Sequence, residues 1–308
     1  MPLNINTNSA ASSASYYLSK NNAALQKSLT RLSSGSRITQ PADDAGGLAV
    51  SMKLRGTISR MTGVEKNIDN ATSFLQVQDG VLESAGKIID RMAELKALSQ
   101  DVLKNSSDIA NYNAEFKNLQ VQLYQMSETK FNGVSLFATT KVGSGNATFN
   151  TVGSGNTVSI FTSATGESGS IVSISKASML AALTIDAANV SSKRAFQEVG
   201  GNVRSFGSAT VGAAFQLSDV SVAVFTQALQ NVATLRAQNG GSVSRLQFAK
   251  ESVMQQKTNL EAANGRIMDV DIASESTRLA KYNILVQASA SMLSQANSSS
   301  NVAMMLLN

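Results

Sequence analysis

Apolar residues recur at intervals of seven along much of this chain. Leu54, Met61, Ile68, Leu75, Leu82 and Ile89 form one such row, and Val64, Ala71, Ala85 and Met92 stand three residues beyond members of it. A strict seven-residue repeat keeps an apolar seam on one side of a helix when partner helices supercoil around it left-handedly. The spacing predicts a single helix over 44–100, about 85 Å long at ~1.5 Å per residue, lying against other long helices. A second row holds Ile109, Phe116 and Leu123, with Tyr112, Leu119 and Met126 three residues on. A third holds Phe225, Val232, Leu246, Val253, Leu260 and Ile267, interrupted at Asn239 beside Gly240-Gly241. Shorter stripes occupy the extremes: Leu18, Leu25 and Leu32 in the first, Ile272, Leu279, Val286 and Leu293 in the last.

Breakers divide these segments. Gly35 supplies a left-handed stop after Ser33-Ser34, and Pro41 can open the next helix, with Asp43 and Asp44 complementing its dipole. Phe131-Asn132-Gly133-Val134 is a turn signal that closes the first helical half. Residues 138–215 change character and become rich in Gly, Ser, Thr, Val and Ala. Within them Thr157–Phe161 and Ser170–Ile174 alternate as strands do, joined by Thr165-Gly166-Glu167-Ser168-Gly169, which predicts a β-hairpin. Met179 to Leu183 suits a short helical turn, and 184–215 suits a loop or short elements. The expected fold is mainly α: a long antiparallel coiled-coil rod with a small hairpin region.

Composition removes whole classes of chemistry. The 308 residues include no His and no Cys, so no serine–histidine triad, cysteine nucleophile or imidazole–thiolate zinc site can form. Disulfides are impossible. The net charge of +5 is spread along the chain, and no Lys/Arg run exceeds a pair such as Lys193-Arg194. That pattern gives no nucleic-acid arm. No run of about 18 apolar residues marks a membrane span, and the polar start from Met1 to Leu18 does not match a cleavable secretory signal. Asp43-Asp44 reads as a helix-dipole complement and not a catalytic pair, and Asp269-Val270-Asp271 with Glu275 could be read as a metal or acid/base site. Two Asp residues at i and i+2 diverge around a helix and no calcium-loop Gly follows, so it reads as a helix boundary. No catalytic residue, cofactor or metal is expected.

The ends carry specific motifs. Ile5-Asn6-Thr7-Asn8, then Arg31-Leu32-Ser33-Ser34-Gly35-Ser36-Arg37-Ile38, then Asp43-Asp44-Ala45-Gly46-Gly47-Leu48-Ala49 stand in the N-terminal part. Arg266-Ile267-Met268-Asp269-Val270-Asp271, Gln287-Ala288, Leu293-Ser294-Gln295-Ala296-Asn297 and Leu306-Leu307 stand in the C-terminal part. In these the chain resembles bacterial flagellin, in a short form without large outer domains. The resemblance implies a structural subunit, not an enzyme, that self-assembles into the extracellular flagellar filament for motility. It implies export through the flagellar type III apparatus without a cleaved signal, and an export chaperone, a cap and junction proteins as partners. A hook–filament junction protein of the same superfamily is the alternative; Ser33-Ser34-Gly35 and Gln295-Ala296-Asn297 with the terminal Leu pair favour flagellin. A signalling coiled coil would need a membrane span or partner domain.

The resemblance also implies five regions: an inner-core helix at 1–40, rod halves at 41–137 and 216–268, a hairpin and loop region at 138–215, and a second inner-core helix at 269–308. The terminal stripes have nothing adjacent in sequence to cover them. They pack on each other within one subunit, or they order among neighbouring subunits as the inner tube, and the two are compatible. Leu29, Leu32, Ile284, Leu285, Met304, Leu306 and Leu307 are the expected inner-core contributors. In flagellins recognised by the vertebrate Toll-like flagellin receptor, an Arg with Glu-Leu three residues on lies on the long helix and a Glu on the next helix joins it. Arg91, Glu94, Leu95 and Glu115 match, while Lys96 and Leu98 depart from the usual small apolar and amide residues. The same four residues serve equally as solvated helix charges and subunit contacts. Ser163, Thr165 and Ser170 are candidates for O-glycosylation, against a plain solvated hairpin.

Overall fold

The computed structural model describes residues 8–138, 156–186 and 203–305. Six helices and three two-stranded sheets appear among them. In order they are α1 (Ser9–Ser34), α2 (Ala45–Leu98), α3 (Ser106–Ser127), β1 (Lys130–Phe131), β2 (Val134–Ser135), β3 (Thr157–Phe161), β4 (Ile171–Ser175), α4 (Met179–Ala182), β5 (Thr184–Asp186), β6 (Val203–Ser205), α5 (Val222–Met268) and α6 (Ile272–Met305). The expected long helix is continuous, and Asn239-Gly240 and Asn264-Gly265 lie inside α5 without ending it. The fold is mainly α, as the spacing predicts. The chain forms two compact units, Met1–Ser59 with Gln256–Asn308, and Arg60–Gln255.

In the Arg60–Gln255 unit the heptad row of α2 is buried as predicted. Ile68, Leu82, Ala85, Ile89 and Met92 are wholly inaccessible, and Met61, Val64, Ala71 and Leu75 nearly so. Helix α5 runs antiparallel beside α2: the Asn239 amide donates to the Leu75 carbonyl at 2.8 Å, and Arg236 pairs with Asp79 at 3.0 Å. Asn239 therefore fills its seam position. Its Nδ2 is spent on that carbonyl and its Oδ1 is buried without a partner.

The second row is corrected. Phe116 and Leu123 are buried, but with Gln120 and Ser127, four residues beyond each. Tyr112, Leu119 and Met126 are only half-buried, and Ile109 is exposed. Of the two buried polar partners, Gln120 holds loop backbone and Ser127 donates to the Tyr124 carbonyl of its own helix at 2.6 Å. Gln120 donates to the Phe215 carbonyl and accepts from the Phe215 N–H, both at 2.9 Å. Phe116 meets Phe225 edge-on at 6.0 Å, and Phe206 stacks on Phe225 at 5.2 Å.

The turn Phe131–Val134 joins β1 to β2, with Asn132 at φ 48° and Gly133 at φ 80°. Two successive left-handed residues are the geometry an Asn-Gly hairpin turn provides. Strands β3 and β4 pair from Thr157↔Ser175 to Phe161↔Ile171, so the second strand begins one residue later than the spacing suggested. The short helix falls at Met179–Ala182. In 184–215, β5 pairs with β6 and a tight turn follows at Val211–Ala213, with another just beyond at Leu217–Asp219; residues 187–202 lie outside the described set.

Candidate functional site: the terminal helix pair and the surface face of the long helix

In the unit built from both ends, α1 opens with Asn8, whose side chain accepts from the Ala11 N–H at 3.0 Å. It ends at Gly35, φ 69°. A Cβ there would be strained by the backbone alone. Residues 35–38 then run against the end of α5. Ser36 and Asp269 form a β-bridge, the Val270 N–H donates to the Gly35 carbonyl at 3.0 Å, and Arg37 donates from Nε and Nη2 to the Ile267 carbonyl at 3.1 and 2.9 Å. Asp271 caps α6 by accepting from the Ala273 and Ser274 N–H groups. The acidic segment 269–271 is thus a helix boundary, and no cluster suited to a metal ion occurs among the described residues.

The roles of the paired aspartates are corrected. Pro41 lies in the turn before α2, outside its first helical turn. Only Asp44 serves the helix: its Oδ1 accepts from the Gly47 N–H at 2.8 Å, and any Cβ on Gly47 would overlap that carboxylate. Asp43 turns back to α1. It pairs with Lys27 at 2.5 Å and accepts from the Thr39 N–H and hydroxyl. The Lys27 hydrogen bond, helped by those of Thr39, holds its carboxyl well below the usual carboxylate range.

Helices α1 and α6 pack antiparallel. Asn8 donates to the Ala296 carbonyl at 2.9 Å, Asn21 to the Ser289 hydroxyl at 2.9 Å, and Ser28 to Glu275 at 2.6 Å. Glu275 is only 3% exposed and also faces Arg278 and Arg31, at 3.4 and 4.0 Å. The predicted stripes Leu18, Leu25, Leu32 and Leu279, Val286, Leu293 are half-buried. Of the expected inner-core residues, Leu32 and Leu285 are half-buried, while Leu29 (49%) and Ile284 (66%) stand exposed. Met304 falls within α6 but its side chain is not described, and Leu306 and Leu307 lie outside the described residues. Ile272, expected in the last stripe, is instead exposed (67%), and three further exposed apolar residues on these helices, Tyr16, Tyr17 and Met292, were not among the expected contributors. Tyr16, Tyr17 and Met292 sit off the seven-residue stripe, so only their hydrophobicity at off-stripe positions signalled them.

On α2 and α3, Arg91 gathers two carboxylates. Its Nη1 donates to Glu94 at 2.8 Å, and Nε and Nη2 grip Glu115 at 2.8 and 3.2 Å. These bonds, that to Glu115 first, raise the guanidinium pKa further above its ordinary value. Leu95 does not join them at the surface. It is wholly buried, so it belongs to the chain's own core and is unavailable to a subunit or receptor contact. Lys96, the unusual neighbour, also points inward. Its Nζ donates to the Leu217 carbonyl at 2.5 Å, and burial pushes its pKa down. In the hairpin region, Ser163 shares a hydrogen bond with Thr165 at 2.8 Å, and Thr165 and Ser170 are exposed.

Long paired helices locked by capping, with apolar residues left uncovered, define a structural coiled-coil subunit. Residues 5–142 match the bacterial flagellin N-terminal helical region and residues 222–307 the bacterial flagellin C-terminal helical region. The chain belongs to the bacterial flagellin family, whose members build the flagellar filament outside the cell. It is similar to a flagellin of Bacillus subtilis, 32% identical over 299 residues and covering 96% of each chain. It is also similar to a flagellin of Listeria monocytogenes, 29% identical over 307 residues and 99% of this chain and 100% of that one. A flagellar filament 30.7 kDa core protein of Treponema maltophilum is 30% identical over 304 residues, 98% of this chain and 99% of that one. The crystal structure of Bacillus cereus flagellin aligns with 65% of this chain and 94% of its own at 21% identity, TM-score 0.42.

Proposed function

We propose that this filament subunit polymerises with copies of itself through its terminal helices, without catalysis or cofactor. The observation that carries this is the apolar surface left on α1 and α6 after their stripes have met. Tyr16, Tyr17, Leu29, Ile272, Ile284 and Met292 are each 49–67% exposed. Apolar surface of that extent on a subunit suits partner contacts, and a head-to-tail contact that does not close on itself gives an open filament. Export as an unfolded chain through the flagellar type III apparatus, with a chaperone, a cap and junction proteins as partners, agrees with family membership and with the absence of cysteine. The Arg91, Glu94 and Glu115 face is the surface proposed for subunit contact and for the vertebrate Toll-like flagellin receptor. Thr165, Ser170 and the adjoining Ser163 are proposed acceptors of O-linked sugar.

The test is seeded polymerisation of a Leu29→Ser, Ile284→Ser variant, followed by sedimentation, with circular dichroism of the monomer alongside. The expected result is a monomer of unchanged helicity that no longer elongates seeds. Elongation at the wild-type rate would remove these helices as the contact surface. A monomer that loses helicity would place the two residues in the subunit's own core.

A further inference from the structure

Three Asn-Gly pairs occur in the chain, Asn132-Gly133, Asn239-Gly240 and Asn264-Gly265. Such a pair is chemically labile because glycine leaves its amide nitrogen sterically open to the preceding side chain. The structure treats the three differently. Asn239 and Asn264 lie inside α5, where the glycine nitrogens belong to the helical hydrogen-bond ladder. Asn239 is 6% exposed and its carboxamide is held by the Leu75 carbonyl at 2.8 Å. Asn264 accepts from the Ser51 hydroxyl at 2.7 Å. Asn132 and Gly133 are both exposed in the tight turn between β1 and β2, at φ 48° and 80°. The Asn132 carboxamide makes no hydrogen bond among the described residues.

We propose that Asn132 is the chain's site of spontaneous deamidation, and that α5 protects the other two pairs. The Gly133 nitrogen attacks Cγ of Asn132 and gives up its proton to water. The new N–Cγ bond replaces the Cγ–Nδ2 bond, Nδ2 takes a proton from water, and ammonia leaves. Water then opens the five-membered imide. Attack at Cγ yields aspartate; attack at the backbone carbonyl yields isoaspartate, with the chain running through the side-chain carbon. The first adds a carboxylate to the turn. The second also lengthens its backbone by a methylene, against a register of Phe131↔Val134 that leaves only two residues to make the turn. Asn239 and Asn264 reach the same intermediate only after the helix opens locally, which sets their rates below that of an exposed turn.

The test ages the folded full-length chain in warm, mildly alkaline buffer and follows tryptic peptides by mass spectrometry. Cleavage after Lys130 and Lys141 isolates Asn132, after Arg236 and Arg245 isolates Asn239, and after Lys257 and Arg266 releases Asn264, to be separated from Asn259 by fragmentation. In the native chain, peptide 131–141 is expected to gain one mass unit about tenfold or more faster than peptides 237–245 and 258–266. In urea the three rates should converge. Native conversion of Asn239 or Asn264 as fast as Asn132 would overturn the proposal. So would a spread that persists unchanged in urea, because neighbouring residues rather than the fold would then set the order.

Discussion

Two helix pairs in this chain carry the same seven-residue spacing and bury it to different depths. On α2 between Met61 and Met92, nine seam residues are no more than 7% exposed. On α1 and α6, the corresponding stripes stay half-buried. Spacing decides which side of a helix meets a partner; the number of partners decides how dry that side becomes. The α2 seam has α5 along it, and α3 is tied to α2 by Arg91 and Glu115 and meets α5 through Phe116 and Phe225. Helices α1 and α6 have each other, and polar contacts such as Ser28 to Glu275 fix their alignment where packing alone is thin.

Cutting each seam separates the two helix pairs most strongly. Leu82→Ala, at a wholly buried position, is expected to cost ~2–5 kcal/mol, seen as a lower urea midpoint of the monomer. Leu25→Ala, at a half-buried one, should cost about 1 kcal/mol or less, because less area leaves water on folding. Equal losses at both sites would show that the terminal pair is as well packed as the α2 seam.

Next in size is the polar lock. Glu275→Ala removes the acceptor of the buried Ser28 hydroxyl and leaves Arg31 facing an apolar replacement, an expected loss of about 1–3 kcal/mol. Hydrogen exchange should report it locally: faster exchange in α1 and α6, with amides near Leu82 unchanged. Uniform acceleration through both regions would mean that the two do not differ in kind.

The sequence shows the α2 seam because a row of apolar residues from Met61 to Ile89 and its companions leave one consistent register. Row α3 misled because its buried side is half polar: Gln120 and Ser127 face inward to hold backbone, and hydrophobicity cannot announce an amide used that way. The helix ends were legible in Gly35, but the split between Asp43 and Asp44 was not. Adjacent carboxylates look alike until folding brings Lys27 to one and the Gly47 N–H to the other. Leu95 likewise belongs to a surface motif by spacing and to the core by helix phase, and only the packing of α2 separates them. The Arg91–Glu94 pair follows from an i, i+3 interval, whereas its grip on Glu115 depends on how α3 returns.

Asn239 stands inside the better-packed seam. It occupies a position where Leu or Val would continue the row, and its Oδ1 is buried without a partner. Asn239→Leu is expected to raise stability by roughly 1 kcal/mol, since the lone acceptor disappears and the Leu75 carbonyl keeps its helical bond. A single buried polar residue in a seam can fix register at a cost in stability. Loss of stability, read from the same urea midpoint, would show that the amide contributes more than it costs.

The smallest expected effect concerns acid and lies in the terminal unit. Asp43 is nearly buried, but its partner Lys27 is 48% exposed, so solvent screens the pair and its worth is below about 1 kcal/mol. The Asp43 carboxyl has its pKa lowered in the folded chain, chiefly by the Lys27 hydrogen bond. Ionised Asp43 therefore binds its proton more readily when unfolded. Its contribution is complete above the ordinary carboxylate pKa of about 4 and is lost progressively as pH falls below that toward the depressed folded value. Melting of wild type and Asp43→Asn, compared from about pH 6 downward, should show a constant gap that narrows below about pH 4. Exchange in α1 should rise over the same interval, while amides of the α2 seam, which contains no titrating side chain, keep their protection. A gap that widens on acidification would mean that protonated Asp43 is the form the fold prefers, and that its ion pair with Lys27 does not hold the end of α1 in place.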